Sequence, residues 1–457
     1  MLAPTSGRND MRTSTTRSAA LLAVAALGLS ACATGGDSGG SGDAGAGDAS
    51  SSETNSAEAY EPKEGGAGGE VGVFTWWADG SEKKGLDALT AEFEKQYPND
   101  SFVNLAVAGG AGSNAKAKLA SDLENDNPPG SFQGHAGAEL TDYIAADQIE
   151  PVNDVMAALG GSDVFPQDLL DRLTVEGDIY SIPSNIHRAN VVWANPKVLK
   201  EAGINEPPAD MEAWLADMEK VKESGVKTPL HIGGTWTQVQ LFETVLLSDL
   251  GPESYNGLFD GSTKWDSEGV KTAVSHYKEL LGYANTASDG DDWPPSIDAV
   301  YKGDAAYNVM GDWAVAQFTE NDATEGEDYT YFPVPGTDGV FDFLADSFTL
   351  PKGADNPDGS KDWLMTVGSA EGQLAFNKAK GSIPARTDVA ADEFPEYQQS
   401  AMEDFQSDTI VSSIAHGAAV PLAWLTDVSS AVAKFYSAQD EEAMVSDLTS
   451  AAEKHGQ

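Results

Sequence analysis

Apolar residues follow two spacings along the chain, and together these predict an alternation of strands and helices. The apolar run 71–77 has the composition of a buried strand, whereas Leu86, Leu89 and Phe93 recur at helical spacing. Pro98 ends that helix, and Ser113 can cap the helix after it. The first predicted elements are strand 71–77, helix 85–97, strand 102–107 and helix 113–125.

The same alternation continues in the rest of the chain. It predicts strands 179–182 and 190–194, helices 211–222 and 238–250, and a helical C-terminus. Alternating strands and helices indicate α/β lobes, each a mostly parallel sheet flanked by helices. The chain has 457 residues, and a single hydrophobic core does not normally accommodate so many. We therefore expect two lobes.

The first 69 residues have a different composition. Arg12 and Arg17 precede the apolar run 19–29, which is too short to span a bilayer, and the tetrapeptide Leu29-Ser30-Ala31-Cys32 follows it. This resembles the lipobox of bacterial lipoproteins. The resemblance implies a signal peptide at 1–31 and lipidation of Cys32, which would anchor the protein at the extracellular face of the cytoplasmic membrane. Residues 32–69 then read as a flexible acidic Gly/Ser linker.

Charge and composition exclude several functions. The net charge of −46 would repel nucleic acid and anionic lipid headgroups, so we expect no nucleic-acid partner. With Cys32 the only cysteine, no disulfide can form within the chain. The six histidines lack metal-ligand spacing, so no metal or cofactor is predicted. The G-x-G-x-x-A match at 110–115 follows the second predicted strand rather than the first, which argues against dinucleotide binding.

Tryptophans, carboxylates, amides and histidines recur beside turns at predicted strand ends. They lie in segments 76–82, 133–135, 185–188, 236–238, 291–293, 310–313, 345–347, 379–381 and 415–417. In open α/β sheets, loops at the carboxyl ends of strands form the ligand site. A pyranose needs aromatic planes for its C–H faces and charged or amide groups for its hydroxyls. These residue types therefore point to a sugar site.

Structural roles compete with this interpretation for several residues. Consecutive strand residues face opposite ways, so of Trp76 and Trp77 at least one should be free of the core. His135 and His416 could be structural, and Asp312 and Asp346 could cap helices. Trp193 and Trp214 lie inside predicted elements, and we assign both to packing.

Several blocks together resemble the glucose/mannose-binding members of the carbohydrate ABC-transporter solute-binding proteins, extracellular family 1. The blocks are FTWWADGSE, AVAGGAGSNAKAKL, FQGHAGAEL, SIPSNIHRANVVW, GGTWTQ, AAYNVMGDWA, LADSFTLPKGA, AKGSIPAR and SSIAHGAAVP. The resemblance implies a two-lobed periplasmic-binding-protein-like fold of type II, joined by hinge crossovers. The expected lobes are 70–182 with about 336–385, and 183–335 with about 386–457.

The resemblance also implies roles for ten residues around a bound sugar. The tryptophans that would stack on the sugar and form the walls of its site are Trp76, Trp77, Trp293 and Trp313. Hydroxyl contacts would come from Glu82, Gln133, His135, Asp346, Lys380 and His416. The turn after Trp77 is one residue longer than the family pattern, so Asp79 is a substitute for Glu82.

Two functions follow from these observations. The first is a lipid-anchored, monomeric receptor that binds a monosaccharide, glucose or possibly mannose or galactose, and delivers it to ABC permease subunits with their ATPase. The alternative is an extracellular lipid-anchored glycoside hydrolase, because several acids in one cleft also suit that chemistry. We favour the receptor, which is not an enzyme, because the candidate acids have aromatic, amide or basic neighbours that would keep them ionised.

Overall fold

The computed structural model describes residues 58–108, 112–288 and 290–457. Cys32, the predicted signal peptide and most of the predicted linker lie outside these residues. Within them, no helix combines the length and the apolar character that crossing a bilayer requires.

The strands of the described residues are numbered in chain order. They are β1 (Gly69–Phe74), β2 (Asp100–Asn104), β3 (Ser131–His135), β4 (Ile149–Glu150), β5 (Thr174–Val175), β6 (Asp178–Ile179), β7 (Ser181–Pro183), β8 (His187–Arg188), β9 (Val191–Ala194), β10 (Tyr307–Val309), β11 (Thr330–Pro333), β12 (Val340–Leu344), β13 (Asp346–Pro351) and β14 (Thr409–Ser412).

The helices are numbered in the same way. They are α1 (Gly80–Gln96), α2 (Ser113–Glu124), α3 (Thr141–Ala145), α4 (Asn153–Ala158), α5 (Gln167–Leu173), α6 (Pro196–Glu201), α7 (Met211–Glu223), α8 (Thr235–Asp260), α9 (Glu268–Leu281), α10 (Pro294–Lys302), α11 (Ala314–Glu320), α12 (Pro357–Gly368), α13 (Ala370–Lys380), α14 (Glu396–Ser407), α15 (Leu422–Ala438) and α16 (Glu441–Lys454). Short 3-10 helices occur at Ala138–Leu140, Gly161–Asp163 and Ala391–Glu393.

The first lobe is built on a sheet with strand order β2-β1-β3-β13-β4, and β7 also pairs with β13. Strand β1 runs parallel to β2 and β3, as expected for strands joined through helices. Strand β13 runs antiparallel to β3, β4 and β7. The loops that follow β1 and β3 therefore leave the sheet at the same edge, where β13 begins.

The second lobe holds two three-stranded sheets. Strand β9 lies between β10 and β11, antiparallel to both, while β12 lies parallel to β14 and antiparallel to β8. The expectation of mostly parallel sheets is therefore wrong in detail, because antiparallel pairings outnumber parallel ones in the described residues. In the first sheet the reason is that β13 enters directly from the second lobe, and a helix–strand alternation does not reveal such a crossing.

Three chain segments cross side by side between the lobes. The chain leaves the first sheet at β7 and enters the second lobe at β8, and it returns from β12 to β13 through Ala345. The third segment contains Ile383. Two backbone hydrogen bonds, of 2.8 and 3.0 Å, join Ile383 to Ile186 of the first segment. From these pairings we propose a lobe boundary at Ala345 rather than near residue 336.

The end of the predicted linker is fixed to the first lobe. The Tyr60 hydroxyl donates to the Asp362 carboxylate at 2.9 Å, and the Ala67 amide donates to the same carboxylate at 2.8 Å. The Gly68 amide donates to Asp100 at 2.7 Å. Residues 58–68 are thus held by buried or half-buried acceptors rather than forming a flexible linker.

The bounds of several elements in the structure differ from the predicted ones. Strand β1 ends at Phe74, before the two tryptophans, and α1 begins at Gly80 rather than 85. Helix α8 continues past the predicted end at 250, with a break at Gly251, whose φ of 70° and ψ of 167° are not helical. Trp193 and Trp214 are fully buried in the hydrophobic cores, which confirms their assignment to packing.

Candidate functional site

A cleft of about 950 Å³ lies between the two lobes, and residues from both lobes line it. Nine of the ten predicted site residues are among those that line it: Trp76, Trp77, Glu82, His135, Trp293, Trp313, Asp346, Lys380 and His416. The fold thus brings together residues that are more than 300 positions apart in sequence. Gln133 is the exception, and it lies behind Asp346.

The cleft has a buried inner end and an exposed mouth. The aromatic and charged residues form the inner end, where Trp77, Asp346 and Lys380 are all at most 3 % exposed. The mouth is formed by exposed residues of α2 and α15, including Ala120 and Thr426. The polar and aromatic side chains are therefore concentrated at the buried inner end of the cleft.

Both consecutive tryptophans line the cleft because they lie beyond the end of β1. The Ala78 amide donates to the Trp76 carbonyl at 2.8 Å, so the chain turns here and the alternation of a strand does not apply. Trp76 packs against His135, with ring centroids 5.1 Å apart. A Cβ at Gly112, which has φ of 90°, would lie 2.9 Å from the Trp76 indole, so only glycine allows this approach.

The second lobe contributes a group of aromatic rings to the opposite wall. Trp313 packs edge-on against His187 at 5.1 Å and against His416 at 5.2 Å. Trp236, at the start of α8, lies 6.2 Å from Trp313. Trp293 also lines this wall and precedes α10. The inner end is thus bounded by indole rings from both lobes.

Asp346 is the buried carboxylate at the hinge. It accepts hydrogen bonds from the Gln133 and Asn185 amides, each at 2.9 Å. Burial opposes its ionisation, but the hydrogen bond and charge of His187, with the charges of His135 and Lys380, hold the pKa of Asp346 well below its ordinary value. Gln133 therefore positions this carboxylate, with its own carbonyl oxygen accepting from Thr75 and from the Trp76 amide.

Lys380 provides the buried cation of the cleft. Its Nζ lies 2.7 Å from Glu82 Oε1 and 5.6 Å from the centroid of the Trp77 ring. Asp79, the substitute considered for Glu82, is exposed and precedes α1 without lining the cleft. The structure thus favours Glu82 over Asp79 as the acid of this turn.

His135 is oriented by a buried acid from its own lobe. Its Nδ1 lies 2.7 Å from Glu139 Oε2, which also accepts from Lys116 Nζ at 2.8 Å. Burial opposes the charge on Glu139, but Lys116 and His135 lower the pKa of Glu139 to about 2. The Nδ1 side of His135 is therefore occupied, and its Nε2 lies 3.8 Å from Asp346.

His416 has a different environment. Its Nδ1 lies 2.9 Å from the Ser413 hydroxyl oxygen, while its Nε2 is buried with no hydrogen-bond partner among the described residues. Burial, together with the neighbouring His135 and His187, holds the pKa of His416 well below its ordinary value. The ring is thus neutral near pH 7 and has one unused nitrogen.

His187 lines the cleft, and the sequence placed it in a candidate turn but not in the predicted set. Its Nδ1 contacts the Asp312 carboxylate, and its Nε2 lies 3.4 Å from Asp346. Although burial opposes the charge, Asp312 and Asp346 raise the pKa of His187. The two aspartates are not helix caps: Asp346 begins β13, and Asp312 accepts from His187 and the Arg188 amide.

The lining residues that were not predicted include Lys116, Trp236 and Gln238. Trp236 and Gln238 lie in a tryptophan–amide segment of the kind singled out from the sequence, so the signal was present. The Gln238 side chain is 2 % exposed, and its carbonyl oxygen accepts no hydrogen bond from any residue that the structure describes. Lys116 lies inside α2, where a lysine normally faces solvent, so no sequence signal marked it.

The arrangement suits a neutral ligand with several hydroxyls. The indole faces can cover apolar surface, while Asp346, Glu82 and the unused atoms of His416 and Gln238 can accept hydrogen bonds, and Lys380 can donate. In the part of the chain described here, no cluster of His, Cys, Asp and Glu could hold a metal ion.

Comparison with known proteins gives consistent matches. The family model described as bacterial extracellular solute-binding protein matches residues 77–374. An uncharacterised ABC transporter extracellular-binding protein of Pyrococcus horikoshii is 34 % identical over 84 % of this chain and 88 % of its own length. A probable sugar-binding periplasmic protein of Mesorhizobium japonicum is 31 % identical over 81 % of this chain and 89 % of its own length.

A solved structure shows the same fold. The bacterial solute receptor AcbH, described as having an exclusive preference for β-D-galactopyranose, superposes with a TM-score of 0.74. The match covers 85 % of this chain and 99 % of the receptor, at 19 % sequence identity. The expected two-lobed type II fold is thereby confirmed.

Proposed function

We propose, because the chain belongs to the family of bacterial extracellular solute-binding proteins, that it is the sugar-binding component of an ABC importer. In this proposal it binds a monosaccharide, D-glucose before mannose or galactose, in the interlobe cleft. A lipid on Cys32 anchors it outside the cytoplasmic membrane, and as a monomer it delivers the sugar to the permease subunits and their ATPase.

The observation that carries the proposal is the composition of the inner end of the cleft. Tryptophan faces from both lobes meet there with a buried ionised carboxylate, Asp346, and the Glu82–Lys380 pair. Hydrogen bonds from charged groups to hydroxyls are stronger than neutral ones, and indole planes cover the C–H faces of a pyranose. A neutral sugar satisfies both requirements, whereas an anion would meet the Asp346 charge.

Binding from both lobes also accounts for delivery. Contacts to Trp76 in the first lobe and Trp313 in the second are made together only when the lobes approach each other. A sugar that touches both lobes therefore favours the closed conformation by its differential affinity for that state. Transport would follow because the permease can distinguish a closed receptor from an open one.

A hydrolase would need a different protonation state in the cleft. Glycoside hydrolysis requires a carboxylic acid that is still protonated near neutral pH, beside a second carboxylate. Asp346 has the opposite property, because its pKa is lowered, and Glu82 is paired with Lys380. Incubation with aryl glycosides and gluco-oligosaccharides should therefore give no product above that of an Asp346→Ala control.

The proposal is tested by isothermal titration calorimetry of the protein against glucose, mannose, galactose, N-acetylglucosamine, xylose and maltose. We expect one-site binding of glucose, with weaker binding of its epimers. Maltose belongs in the panel because a cleft of about 950 Å³ is at the upper end of the roughly 300–1,000 Å³ typical of small-molecule sites. Absence of heat with every sugar would refute the proposal, and tighter binding of maltose would refute the monosaccharide assignment.

A further inference from the structure

A buried carboxyl pair lies behind the second-lobe wall of the cleft, outside the residues that line it. Glu243 of α8 and Asp342 of β12 are both 0 % exposed. Within the part of the chain that the structure describes, neither carboxylate oxygen of Asp342 has a hydrogen-bond partner other than Glu243. Two buried carboxyls in contact cannot both be charged without a large penalty, so the pair shares one proton.

The remaining negative charge belongs on Glu243. Its Oε2 accepts from the Ala415 amide at 2.8 Å, and its two oxygens lie 2.9 and 3.1 Å from the Ser413 hydroxyl oxygen. Asp342 has no such donors, although Arg188 lies near it. Burial raises the pKa of Glu243 to about 7, and burial with the neighbouring Glu243 charge raises the pKa of Asp342 well above its ordinary value. Because the hydrogen-bond donors face Glu243, the charge that the pair holds above pH 7 lies on Glu243.

This charge determines the direction of the next hydrogen bond. The Ser413 hydroxyl has a single proton, and an ionised Glu243 takes it. Ser413 can then only accept from His416, whose Nδ1 lies 2.9 Å from its oxygen. The proton of the neutral imidazole is therefore on Nδ1, which leaves Nε2 as an acceptor in the buried wall of the cleft, without a partner from residues 58–108, 112–288 or 290–457.

We propose that Glu243, acting through Ser413, is a positioning residue that fixes His416 as the Nδ1–H tautomer and so makes its Nε2 an acceptor for a ligand hydroxyl. The ligand half of this inference rests on the proposed sugar-binding function, whereas the tautomer half does not. The Nδ1–H tautomer also determines which ligand group can bind at Nε2. A hydroxyl can donate to Nε2, but an ether oxygen, a fluorine or a carboxylate cannot.

Two variants separate the parts of the relay. In Ser413→Ala, Nδ1–H loses its acceptor, so the Nδ1–H tautomer is no longer favoured. In Glu243→Met, which keeps a side chain of similar length, the Ser413 proton becomes free to be donated to Nδ1, and the imidazole proton moves to Nε2. Asp249→Asn is the matched control, because Asp249 contacts the ring of His276 outside the cleft at 2.9 Å.

The first measurement is ¹⁵N NMR of the histidine-labelled, sugar-free protein at pH 8, with the His416 signals assigned by their loss in His416→Gln. We expect a protonated Nδ1 and an unprotonated Nε2 in the wild type and in Asp249→Asn. In Ser413→Ala and in Glu243→Met, the Nδ1–H population of His416 should fall and the Nε2–H population should rise. A proton on Nε2 in the wild type would overturn the inference, as would Nδ1–H populations in both variants equal to that of the wild type.

The second measurement is calorimetry with D-glucose and its monodeoxyfluoro analogues. One analogue should bind the wild type at least about tenfold more weakly than glucose, because it lacks the proton that Nε2 accepts. That ratio should fall to within about threefold in Ser413→Ala, and an unchanged ratio would contradict the assigned role. If glucose does not bind the wild type, the proposed function fails, while the NMR result still decides the tautomer.

Discussion

Truncation of Trp293 gives the sharpest test of how the cleft binds its ligand. Trp293 is 6 % exposed and lies on the second-lobe wall. Truncating an aromatic side chain that is packed at the centre of a binding site typically costs about 2 kcal/mol or more. Trp293→Ala should therefore lose about 2 kcal/mol of binding free energy.

This free energy corresponds to a dissociation constant about 30-fold higher. Isothermal titration calorimetry with glucose, or with the sugar of the panel that binds most tightly, measures it directly. Trp293→Phe, which keeps an aromatic face, should lose less than Trp293→Ala. Thermal unfolding of both variants shows whether the fold is intact.

The matched control is Trp214→Phe, because Trp214 is fully buried in the second-lobe core and does not line the cleft. It should lower the unfolding temperature without changing sugar affinity by more than about twofold. A folded Trp293→Ala variant whose affinity stays within twofold of the wild type would refute stacking on Trp293.

Three further predictions concern the charged groups. Lys380→Met should weaken sugar binding at least about tenfold by calorimetry, because a buried charged donor is lost and Glu82 is left without its partner. His187→Gln should reduce the free energy of unfolding in urea at pH 5.5, and the difference from the wild type should shrink as the pH rises. The pKa of His187 is raised in the folded protein. Its contribution to the free energy of unfolding is therefore complete below the unfolded pKa of about 6.5 and is lost as the pH rises through the folded pKa. Glu139→Gln should remove about 3 kcal/mol of stability at pH 7, because the pKa of Glu139 is lowered to about 2; in the wild type this contribution is lost as the pH falls from about 4.5 through 2.

Each of these variants has a result that would count against the account. Lys378→Met is the control for Lys380, since Lys378 pairs with exposed Glu393 at 2.6 Å and lies outside the cleft; equal effects of the two would remove Lys380 from the site. A stability difference for His187→Gln that does not change between pH 5.5 and 9 would contradict its charged state in the fold. For Glu139→Gln, unfolding curves that match the wild type at pH 7 would show that the buried pairing contributes nothing.

Most of the residues proposed for the site could be selected from the sequence because they mark turns. Trp293 and His416 follow predicted strands or turns, where a large aromatic or titratable side chain has little packing role. Their position in a common cleft could be inferred because ligand sites of open α/β sheets lie at strand ends. Trp236, in a segment of the same kind, also proved to line the cleft.

The parts that could not be predicted depend on long-range packing. Glu243 and Ser413 are 170 residues apart, and nothing in the segment around either residue predicts that they meet. The direction of β13 depends on the hinge crossing at Ala345 rather than on its own residues. The role of Gln133 also needed the structure, because its amide faces Asp346 instead of the cleft.

The most direct test of the central claim is a crystal structure of the protein with glucose, or with the sugar of the panel that binds most tightly. We predict a pyranose between the first-lobe tryptophans Trp76 and Trp77 and the second-lobe wall at Trp313, with hydroxyls within 3.2 Å of Asp346 and His416 Nε2. Sugar density on an outer surface of either lobe, with the interlobe cleft filled only by water, would contradict the account.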